Sequence, residues 1–440
     1  MEEKATIGVS QQPNRTMAPA FGTLDKVEIA EAVKSVLPGG IPVFKIDAGS
    51  QELVKIEIIF PGAGATSQPY PLVSVGTNDM LDEGTVNYSA GALAEQVDFY
   101  GAFLQTEATL DFASVCLFSL NKHLANTIPL LEEMIKNANF PEHEFDTYIQ
   151  NKKQKFRVDE AKVSTVARKR FTQILFGDKH PYGNYIIEDN FKSVNRNLLS
   201  EFHSSAYALK DSYVVVSGKI DPRMEDLLAR SFQTVEAPKK DKITIKAQAL
   251  NPDRSSQKYF VEKKEAVQSA IRIGRILFNK THPDFAAMQV LNAILGGYFG
   301  SRLMSNIREE KGYTYGIGSG IVSLKQAGYF FISTEVGVEV CKAALKEIYL
   351  EIKRLREEPV SQEELTLVRN HLLGSFLRSA DGPFSLADKF KGIFDYGLSY
   401  AYYQNYVQTI LNITPIELQK LANLYLKEED LIELVVGKMQ

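Results

Sequence analysis

Apolar and polar residues alternate in two segments of the chain, residues 54–60 and residues 270–276. Alternation with a period of two residues is typical of a β-strand that is buried on one face only. Two apolar runs, residues 213–218 and residues 432–437, predict one further strand near the end of each half of the chain. The pattern of hydrophobic positions therefore predicts similar strands twice.

Helix signals also occur twice. Residues 130–137 are predicted to end one helix, and residues 140–145 to open the next. The same arrangement is predicted again at residues 349–356 and residues 360–365. The order of strands and helices in the first half is thus repeated in the second.

The corresponding elements are offset by about 215 to 220 residues and keep the same order, and a two-fold internal duplication is the simplest cause. Each half mixes strands with long helices, which favours an α+β fold over a doubly wound parallel one. We therefore predict two homologous domains, each a mostly antiparallel sheet with helices packed on it.

The chain is predicted to divide into four parts. Residues 1–24 form an N-terminal arm rich in Pro, Gln and Ser, and residues 25–236 form the first domain. Residues 237–254 are charged and contain proline, as is typical of a linker, and residues 255–440 form the second domain.

Composition narrows the functional classes. A chain of 440 residues with 44% hydrophobic and 24% charged residues is typical of a soluble protein with two or more domains. Its net charge of −4 and pI near 6.0 give no reason to expect nucleic acid as a partner. No apolar run approaches the roughly 20 residues of a membrane span. Because no signal peptide is visible, a cytoplasmic location is expected, or a periplasmic one if a signal has been trimmed.

Histidines and cysteines give little support for a metal site or a disulfide. No two histidines lie within ten residues of each other, whereas metal-binding pairs usually come from one helix turn or one hairpin. The two cysteines, Cys116 and Cys341, lie inside apolar runs and are predicted to be buried thiols.

The most distinctive segment is residues 295–319, LGGYFGSRLMSNIREEKGYTYGIGS. Its glycines permit a tight, partly left-handed loop, and Ser301 is predicted to cap a short helix that stops at Gly312. Arg308 falls in the last turn of that helix, and Tyr315 falls in a predicted strand. The two side chains can point at one spot, or they can be a dipole-matched arginine and an ordinary strand tyrosine.

The duplicated layout and this segment together resemble the pitrilysin, insulinase and mitochondrial processing peptidase family. Four further pieces agree in order: DEGT (82–85), GAFLQT (101–106), HPYG (180–183) and VVSGKID (215–221). The similarity extends from about residue 25 to the end of the chain. It implies a zinc peptidase or a relative of one, built from paired domains that enclose a chamber.

The positions of the family's metal site carry other residues. Active members have His-x-x-Glu-His on a helix, in which the histidines bind zinc and the glutamate activates water. The corresponding residues here are Val75, Gly76, Thr77, Asn78 and Asp79. The third ligand is expected near residues 151–155, but residues 148–157, YIQNKKQKFR, contain no carboxylate. We therefore expect no metal in this chain.

The resemblance also implies roles for residues of the second half. Arg308 and Tyr315 match an arginine and a tyrosine that reach the substrate beside the zinc of the other half. Both side chains can donate hydrogen bonds to a peptide carbonyl as it gains negative charge. The candidate substrate-binding residues are Gly296, Gly297, Tyr298, Phe299 and Gly300.

A chain with the arginine and tyrosine but without the zinc ligands resembles the non-catalytic subunit of two-chain family members. We predict a subunit that is inactive alone and pairs with a homologous, zinc-bearing chain, the pair cutting unfolded peptides. The alternative is a proteolytically inactive binding or assembly protein of the same fold. An enzyme that acts alone by unfamiliar chemistry has the least support.

Overall fold

The computed structural model describes residues 29–232 and 255–439, together with residues 16 and 252. The predicted arm (residues 1–24) and the predicted linker (residues 237–254) lie outside the described residues, apart from residues 16 and 252. The described ranges contain two β-sheets.

The first sheet has six strands. They are β1 (Val33–Val36), β2 (Pro42–Asp47), β3 (Leu53–Phe60), β4 (Phe103–Ala108), β5 (Ala113–Leu120) and β6 (Tyr213–Gly218). The second sheet has five strands. They are β7 (Lys258–Glu262), β8 (Gln268–Leu277), β9 (Ile317–Ser323), β10 (Gly328–Gly337) and β11 (Ile432–Gly437).

The described residues of the first half contain eight α-helices. They are α1 (Val73–Asp79), α2 (Ala90–Phe99), α3 (Leu124–Lys136), α4 (Glu142–Ala161), α5 (Val163–Phe176), α6 (Asn190–Ser193), α7 (Arg196–Ala206) and α8 (Met224–Ser231). Those of the second half are α9 (Phe285–Asn292), α10 (Cys341–Glu357), α11 (Gln362–Arg378), α12 (Gly382–Phe394), α13 (Ala401–Asn412) and α14 (Pro415–Tyr425). None of the helices in the described residues has the length and apolar character that a membrane span needs.

The two sheets share one topology. The first has the order β1-β2-β6-β3-β5-β4 and the second β7-β11-β8-β10-β9, so the orders match once β1 is set aside. The pairs β2–β6 and β7–β11 are parallel, and the other pairs are antiparallel. Helices follow the same rule, since α4 begins at residue 142 and α11 at residue 362, an offset of 220. The predicted α+β fold and internal duplication are confirmed.

Each half has a hydrophobic core between its helices and one face of its sheet. In the first half, Ile56 and Ile58 of β3 lie in one buried cluster with Leu131 of α3. In the second half, Ile273 of β8 lies in a buried cluster with Ile348 of α10. Burial of these side chains is the main stabilising contribution of each half.

The other face of each sheet is covered by a helix from the opposite half. Helix α5 packs on the second sheet, where Phe171 shares a buried cluster with Leu434 of β11. Helix α12 packs on the first sheet, where Phe390 lies against Phe44 of β2 with ring centroids 4.6 Å apart. Each half thus places one helix on the sheet of the other half, and we call this arrangement the exchange of α5 and α12. These two helices are themselves duplicates, because α5 begins at residue 163 and α12 at residue 382, an offset of 219.

This exchange corrects the prediction that β3 and β8 are buried on one face only. In β3, Glu57 is 2% exposed, and both of its carboxylate oxygens accept hydrogen bonds from Lys391 Nζ of α12 at 2.7 Å. Lys55 Nζ lies 2.9 Å from the same carboxylate. In β8, the guanidinium of Arg272 lies over the ring of Phe331, and burial lowers its pKa. The polar positions of β3 are thus covered by the helix of the other half, and α5 packs on β8 in the equivalent place.

Cys116 and Cys341 are buried and free, as predicted. Burial raises the pKa of the Cys116 thiol to about 12, with the nearby Glu57 carboxylate adding to the effect. A thiol with so high a pKa is almost entirely protonated at neutral pH and is a poor nucleophile.

Candidate functional site

The positions predicted for the metal ligands lie where α1 faces α4. Asp79 ends α1, and its Oδ2 accepts a hydrogen bond from the Tyr148 hydroxyl at 3.0 Å. The same oxygen lies 2.6 Å from Nζ of Lys152, which is one turn after Tyr148 on α4. Val75, one turn before Asp79, lines the same cavity as Lys152. Helices α1 and α4 thus face each other as a metal site would require. Two of the ligand positions between them, however, carry the apolar Val75 and the ammonium of Lys152.

The residues at these positions do not fit zinc. Asn78 is fully buried, and its Nδ2 donates to the Tyr207 hydroxyl at 3.1 Å and to the Ser114 carbonyl at 3.3 Å. The Asp79 carboxylate is occupied by the Lys152 ammonium, which has only donors and cannot bind a metal at neutral pH. In residues 29–232 and 255–439, no group of three or more His, Cys, Asp or Glu side chains is placed to hold a metal ion.

Several histidines pack in the protein interior or against aromatic rings. Nε2 of His203 lies 2.8 Å from the backbone carbonyl oxygen of Ile135, and burial lowers its pKa to about 4. The His371 ring stacks on Tyr298 at 4.6 Å, and the His282 ring stacks on a phenylalanine. These contacts give the histidines structural roles.

The purified chain should contain no stoichiometric zinc after dialysis, because Val75, Asp79 and Lys152 cannot together bind it. Elemental analysis is the measurement. A matched control is the triple variant Val75→His, Asp79→His and Lys152→Glu, which places two histidines one helix turn apart opposite a carboxylate. This variant should retain about one zinc per chain. One tightly held zinc in the original chain would contradict the prediction.

Close backbone contacts shape the glycine-rich start of residues 295–319. Gly296 is buried, and a Cβ added there would lie 2.7 Å from the backbone nitrogen of Ser319 on β9. No side chain larger than hydrogen fits without moving that strand. Gly297 and Gly300 do not have a positive φ, so the predicted left-handed loop is wrong at this end. Gly312, at φ 65°, is left-handed and follows the helix, as predicted.

The short helix of this segment is a π-helix, Met304–Glu310, in which Ile307 is fully buried. Ser301 does not cap it, because its buried hydroxyl has no hydrogen-bond partner among the described residues. The start of the helix is held instead by Arg302, which donates two hydrogen bonds of 2.8 Å to the Glu364 carboxylate of α11. A bidentate pair of this kind fixes orientation as well as distance.

Arg308 and Tyr315 lie next to each other, as their spacing allows. The Arg308 Nε donates to the backbone carbonyl of Tyr315 at 3.1 Å. The guanidinium carbon lies 4.7 Å from the centroid of the Phe299 ring, a cation–π distance. One of the guanidinium's five N–H donors is used by the carbonyl. The group is therefore oriented on two sides, and it has donors left for a ligand.

Tyr315 lies in the loop before β9, which begins at Ile317, so its predicted place on a strand is wrong. The Thr314 hydroxyl holds this loop, because it donates to the Glu335 carbonyl oxygen at 2.7 Å and accepts a hydrogen bond from the Gly316 N–H at 3.1 Å. The Tyr315 side chain is 95% exposed and lines an open cavity of about 430 Å³ at the end of the second sheet. Its ring contributes almost nothing to the packing of this chain.

The five candidate substrate-binding residues have different surroundings. Gly297, Phe299 and Gly300 are exposed, whereas Gly296 is buried against β9. Tyr298 is half-buried against the His371 ring of α11. Binding of a substrate by these residues stays a prediction.

Three contacts of the site were not predicted from the sequence. Residues 148–157 stood out in the sequence only for their lack of a carboxylate, yet Tyr148 and Lys152 both contact Asp79. Their separation of four residues on a predicted helix places them on one face and is the signal that could have paired them. The contact between Arg308 and Phe299 had no comparable signal.

Comparison with known proteins gives a family for part of the chain. Residues 193–372 match the family described as the peptidase M16 inactive domain. The chain is 24% identical over 308 residues to an uncharacterized zinc protease of Bacillus subtilis, a match covering 69% of this chain and 73% of the relative. It is 23% identical over 327 residues to a non-peptidase homolog of Helicobacter pylori, covering 73% and 74%. These matches confirm the resemblance to the pitrilysin-like peptidases.

Solved structures share the fold. A peptidase M16 inactive domain from Pseudomonas fluorescens matches with a TM-score of 0.82 and 23% identity over 93% of this chain and 98% of that chain. A protease from Helicobacter pylori matches with a TM-score of 0.82 and 17% identity over 93% of this chain and 100% of that chain. At such identities the likeness concerns the fold alone.

Proposed function

We propose that this chain is the zinc-free subunit of a two-chain zinc peptidase, because residues 193–372 match the family described as the peptidase M16 inactive domain. A homologous partner supplies the zinc and the His-x-x-Glu-His helix. This chain supplies Arg308 and Tyr315, and the pair hydrolyses unfolded peptides. Without the partner the chain has no hydrolytic activity.

The first half supports the non-catalytic part of this proposal. Hydrolysis by the family's chemistry requires a metal-bound water and a carboxylate base. At the corresponding positions, Asn78 is committed to buried hydrogen bonds, and Asp79 is paired with Lys152. Neither can activate water in this arrangement.

The second half supports the role of the arginine and the tyrosine. A peptide carbonyl gains negative charge as water adds to it, and donors fixed in advance stabilise that charge. Arg308 is oriented by Phe299 and by the Tyr315 carbonyl, so its remaining donors are preorganised. The Tyr315 hydroxyl is on an exposed ring that borders a cavity.

The observation that carries the proposal is the 95% exposure of Tyr315 beside an oriented Arg308. A relict pair retained for packing would be directed into the protein, where the side chains could contribute to the core. An exposed aromatic ring that packs on nothing in its own chain favours contact with a substrate or partner.

A binding or assembly protein of the same fold is the second candidate function. The description of the Helicobacter pylori relative as a non-peptidase homolog favours it. In that case Arg308 and Tyr315 bind peptide or protein without assisting hydrolysis. The two candidate functions differ in the result of adding a zinc-bearing partner, which should produce peptide cleavage under the first and none under the second.

Mixing this chain with a homologous chain that carries His-x-x-Glu-His should produce a heterodimer with chelator-sensitive peptidase activity. This chain alone should have none, because it lacks the metal. Size-exclusion chromatography and cleavage of a fluorogenic peptide measure the two effects. The matched control is the same mixture with the partner's glutamate changed to glutamine, which should assemble without cleaving. Strong chelator-sensitive activity from this chain alone would contradict the proposal, and assembly without activity would favour the binding protein.

A further inference from the structure

The two halves contain cavities of equal size at equivalent places. The first cavity lies among α1, α4 and α5 and has a volume of about 550 Å³. The second cavity lies among α9, α11, α12 and α13 and also has a volume of about 550 Å³. Four residues of α4 line the first cavity, and the four residues 220 positions later, on α11 and directly after it, line the second. The pairs are Lys152 and Leu372, Lys155 and Ser375, Phe156 and Phe376, and Asp159 and Ser379.

One arrangement is common to both cavities. In the first, Lys169 Nζ lies 4.6 Å from the ring centroid of Phe156 and 5.7 Å from that of Tyr185. In the second, the corresponding Lys389 Nζ lies 4.6 Å from the centroid of a phenylalanine and 5.3 Å from that of a tyrosine. A lysine placed over two rings gains cation–π stabilisation in either half. Because both halves have it, we assign this arrangement to the scaffold.

The remaining charged positions differ between the cavities. At the three positions where the first cavity has Lys152, Lys155 and Arg168, the second has Leu372, Ser375 and Asp388. The fold therefore does not require cations at these positions. Their presence in the first cavity alone calls for an explanation outside the shared scaffold.

Pairing within the chain accounts for only part of this positive charge. Lys152 is paired with Asp79, and Lys169 with Glu160. Lys155 and Arg168 form no ion pair with another described residue, and Asp159 is the single carboxylate among the residues that line the cavity. A chain with a net charge of −4 thus concentrates unpaired cations in one concave place. Such a site attracts anionic ligands.

We propose that the first cavity binds the carboxylate groups of an acidic peptide segment, with Lys155 and Arg168 as the principal donors. The choice of a peptide rests on the proposed function, in which unfolded peptides are the substrates. The cavity volume lies within the range of ligand sites, roughly 300 to 1,000 Å³. Arg168 offers a planar fork that matches a carboxylate, and Lys155 offers a mobile point charge. Phe156 and Tyr185 provide apolar surface for the rest of the peptide.

The site lies at the place where the metal helix of an active half would stand. There the Lys152 ammonium forms an ion pair with the Asp79 carboxylate. Because its negative charge is offset, Asp79 no longer repels an incoming anion. Lys152 thus takes part in both changes, since it replaces a metal ligand and neutralises the carboxylate beside the anion site. In the proposed pair, this half holds an acidic part of the substrate while Arg308 and Tyr315 contact the peptide elsewhere.

The test is binding of a fluorescein-labelled octapeptide that contains four glutamates, measured by anisotropy with this chain alone. The same peptide with glutamines should bind at least tenfold more weakly, and added salt should weaken the acidic peptide specifically. Arg168→Gln and Lys155→Gln should each weaken binding of the acidic peptide about tenfold. Lys346→Gln, which removes the same charge from an exposed position on α10, should leave the affinity unchanged.

Equal affinity of the original chain and the Lys155 and Arg168 variants for the acidic peptide would overturn the proposal. Full displacement of that peptide by millimolar inorganic phosphate, with no preference for glutamate over glutamine, would assign a phosphate site and also overturn it. Melting temperatures of all variants show whether each is folded. Because the zinc-bearing partner is absent from this experiment, its result is independent of whether the mixture of two chains cleaves peptides.

Discussion

Tyr315→Phe should slow peptide cleavage by the assembled pair about 100- to 1000-fold, the usual cost of losing one donor to a developing oxyanion. This corresponds to about 2.7 to 4 kcal/mol of transition-state stabilisation. Because the ring is 95% exposed and packs on nothing in its own chain, removing its hydroxyl should leave the melting temperature and the affinity for the partner unchanged. The cleavage rate, the melting temperature and the partner affinity are measured on the same preparation.

Arg308→Lys tests the second donor. Lysine keeps the positive charge but loses the planar fork that lies on Phe299 and donates to the Tyr315 carbonyl. The cleavage rate should fall steeply while assembly is retained. Tyr100→Phe, which removes a hydroxyl from a half-buried ring of the first half, is the matched control and should cleave at the original rate. Cleavage by Tyr315→Phe at the original rate would make the pair structural and favour the binding protein.

Lys391→Met should destabilise the fold by about 3 kcal/mol, because it leaves the buried Glu57 carboxylate without its main partner. Both Glu57 oxygens accept from Lys391 at 2.7 Å, and Lys55 at 2.9 Å remains as partial compensation. Chemical denaturation is the measurement. The exposed Lys346→Met should have little effect, and the double change of Glu57→Gln with Lys391→Met should recover part of the loss. Equal stability of Lys391→Met and the original chain would refute the role of this ion pair.

The same pair predicts a pH dependence. Burial alone would raise the pKa of Glu57, but Lys391 and Lys55 outweigh burial, so the pKa lies below its ordinary value of 4.5. The stabilisation is therefore fully present above that ordinary value and is lost as the pH falls through the lowered pKa. The difference between Lys391→Met and the original chain should be largest near neutral pH and should shrink as the pH falls through the ordinary value of 4.5 and then through the lowered pKa. A difference that stays constant from pH 7 to pH 3 would show that packing, and not charge, is lost.

The fold could be predicted from the sequence where the signal is local. Strand and helix periodicity, repeated at a constant offset, was enough to predict the duplication. The exchange of α5 and α12 could not be predicted, because nothing in a local pattern joins Phe171 to Leu434 or Phe390 to Phe44. For the same reason, the alternation in β3 predicted that Lys55 and Glu57 lie on a solvent-facing side of the sheet, where α12 in fact covers them.

At the candidate site, the sequence indicated which residues are involved, but it did not indicate their burial or their contacts. The absence of zinc ligands at residues 75–79 is visible in the letters of the sequence. The spacing of Arg308 and Tyr315 across a glycine allowed them to lie close together but did not require it. The exposure of Tyr315 could not be predicted, because it depends on Thr314, whose hydroxyl bonds to the carbonyl of the distant Glu335. The pairing of Asp79 with Lys152 likewise joins two helices and needs the fold to be seen.

The exchange of α5 and α12 has a consequence for how the chain is made and how it arose. During synthesis, the first sheet emerges with Phe44 and Glu57 uncovered until α12, which ends at residue 394, has left the ribosome. Neither half can bury both faces of its sheet alone. An ancestral gene that encoded one half could therefore have given a stable protein as a domain-swapped dimer, in which each copy placed its equivalent of α5 or α12 on the sheet of the other. Fusion of two such copies would then have turned an exchange between molecules into an exchange within one.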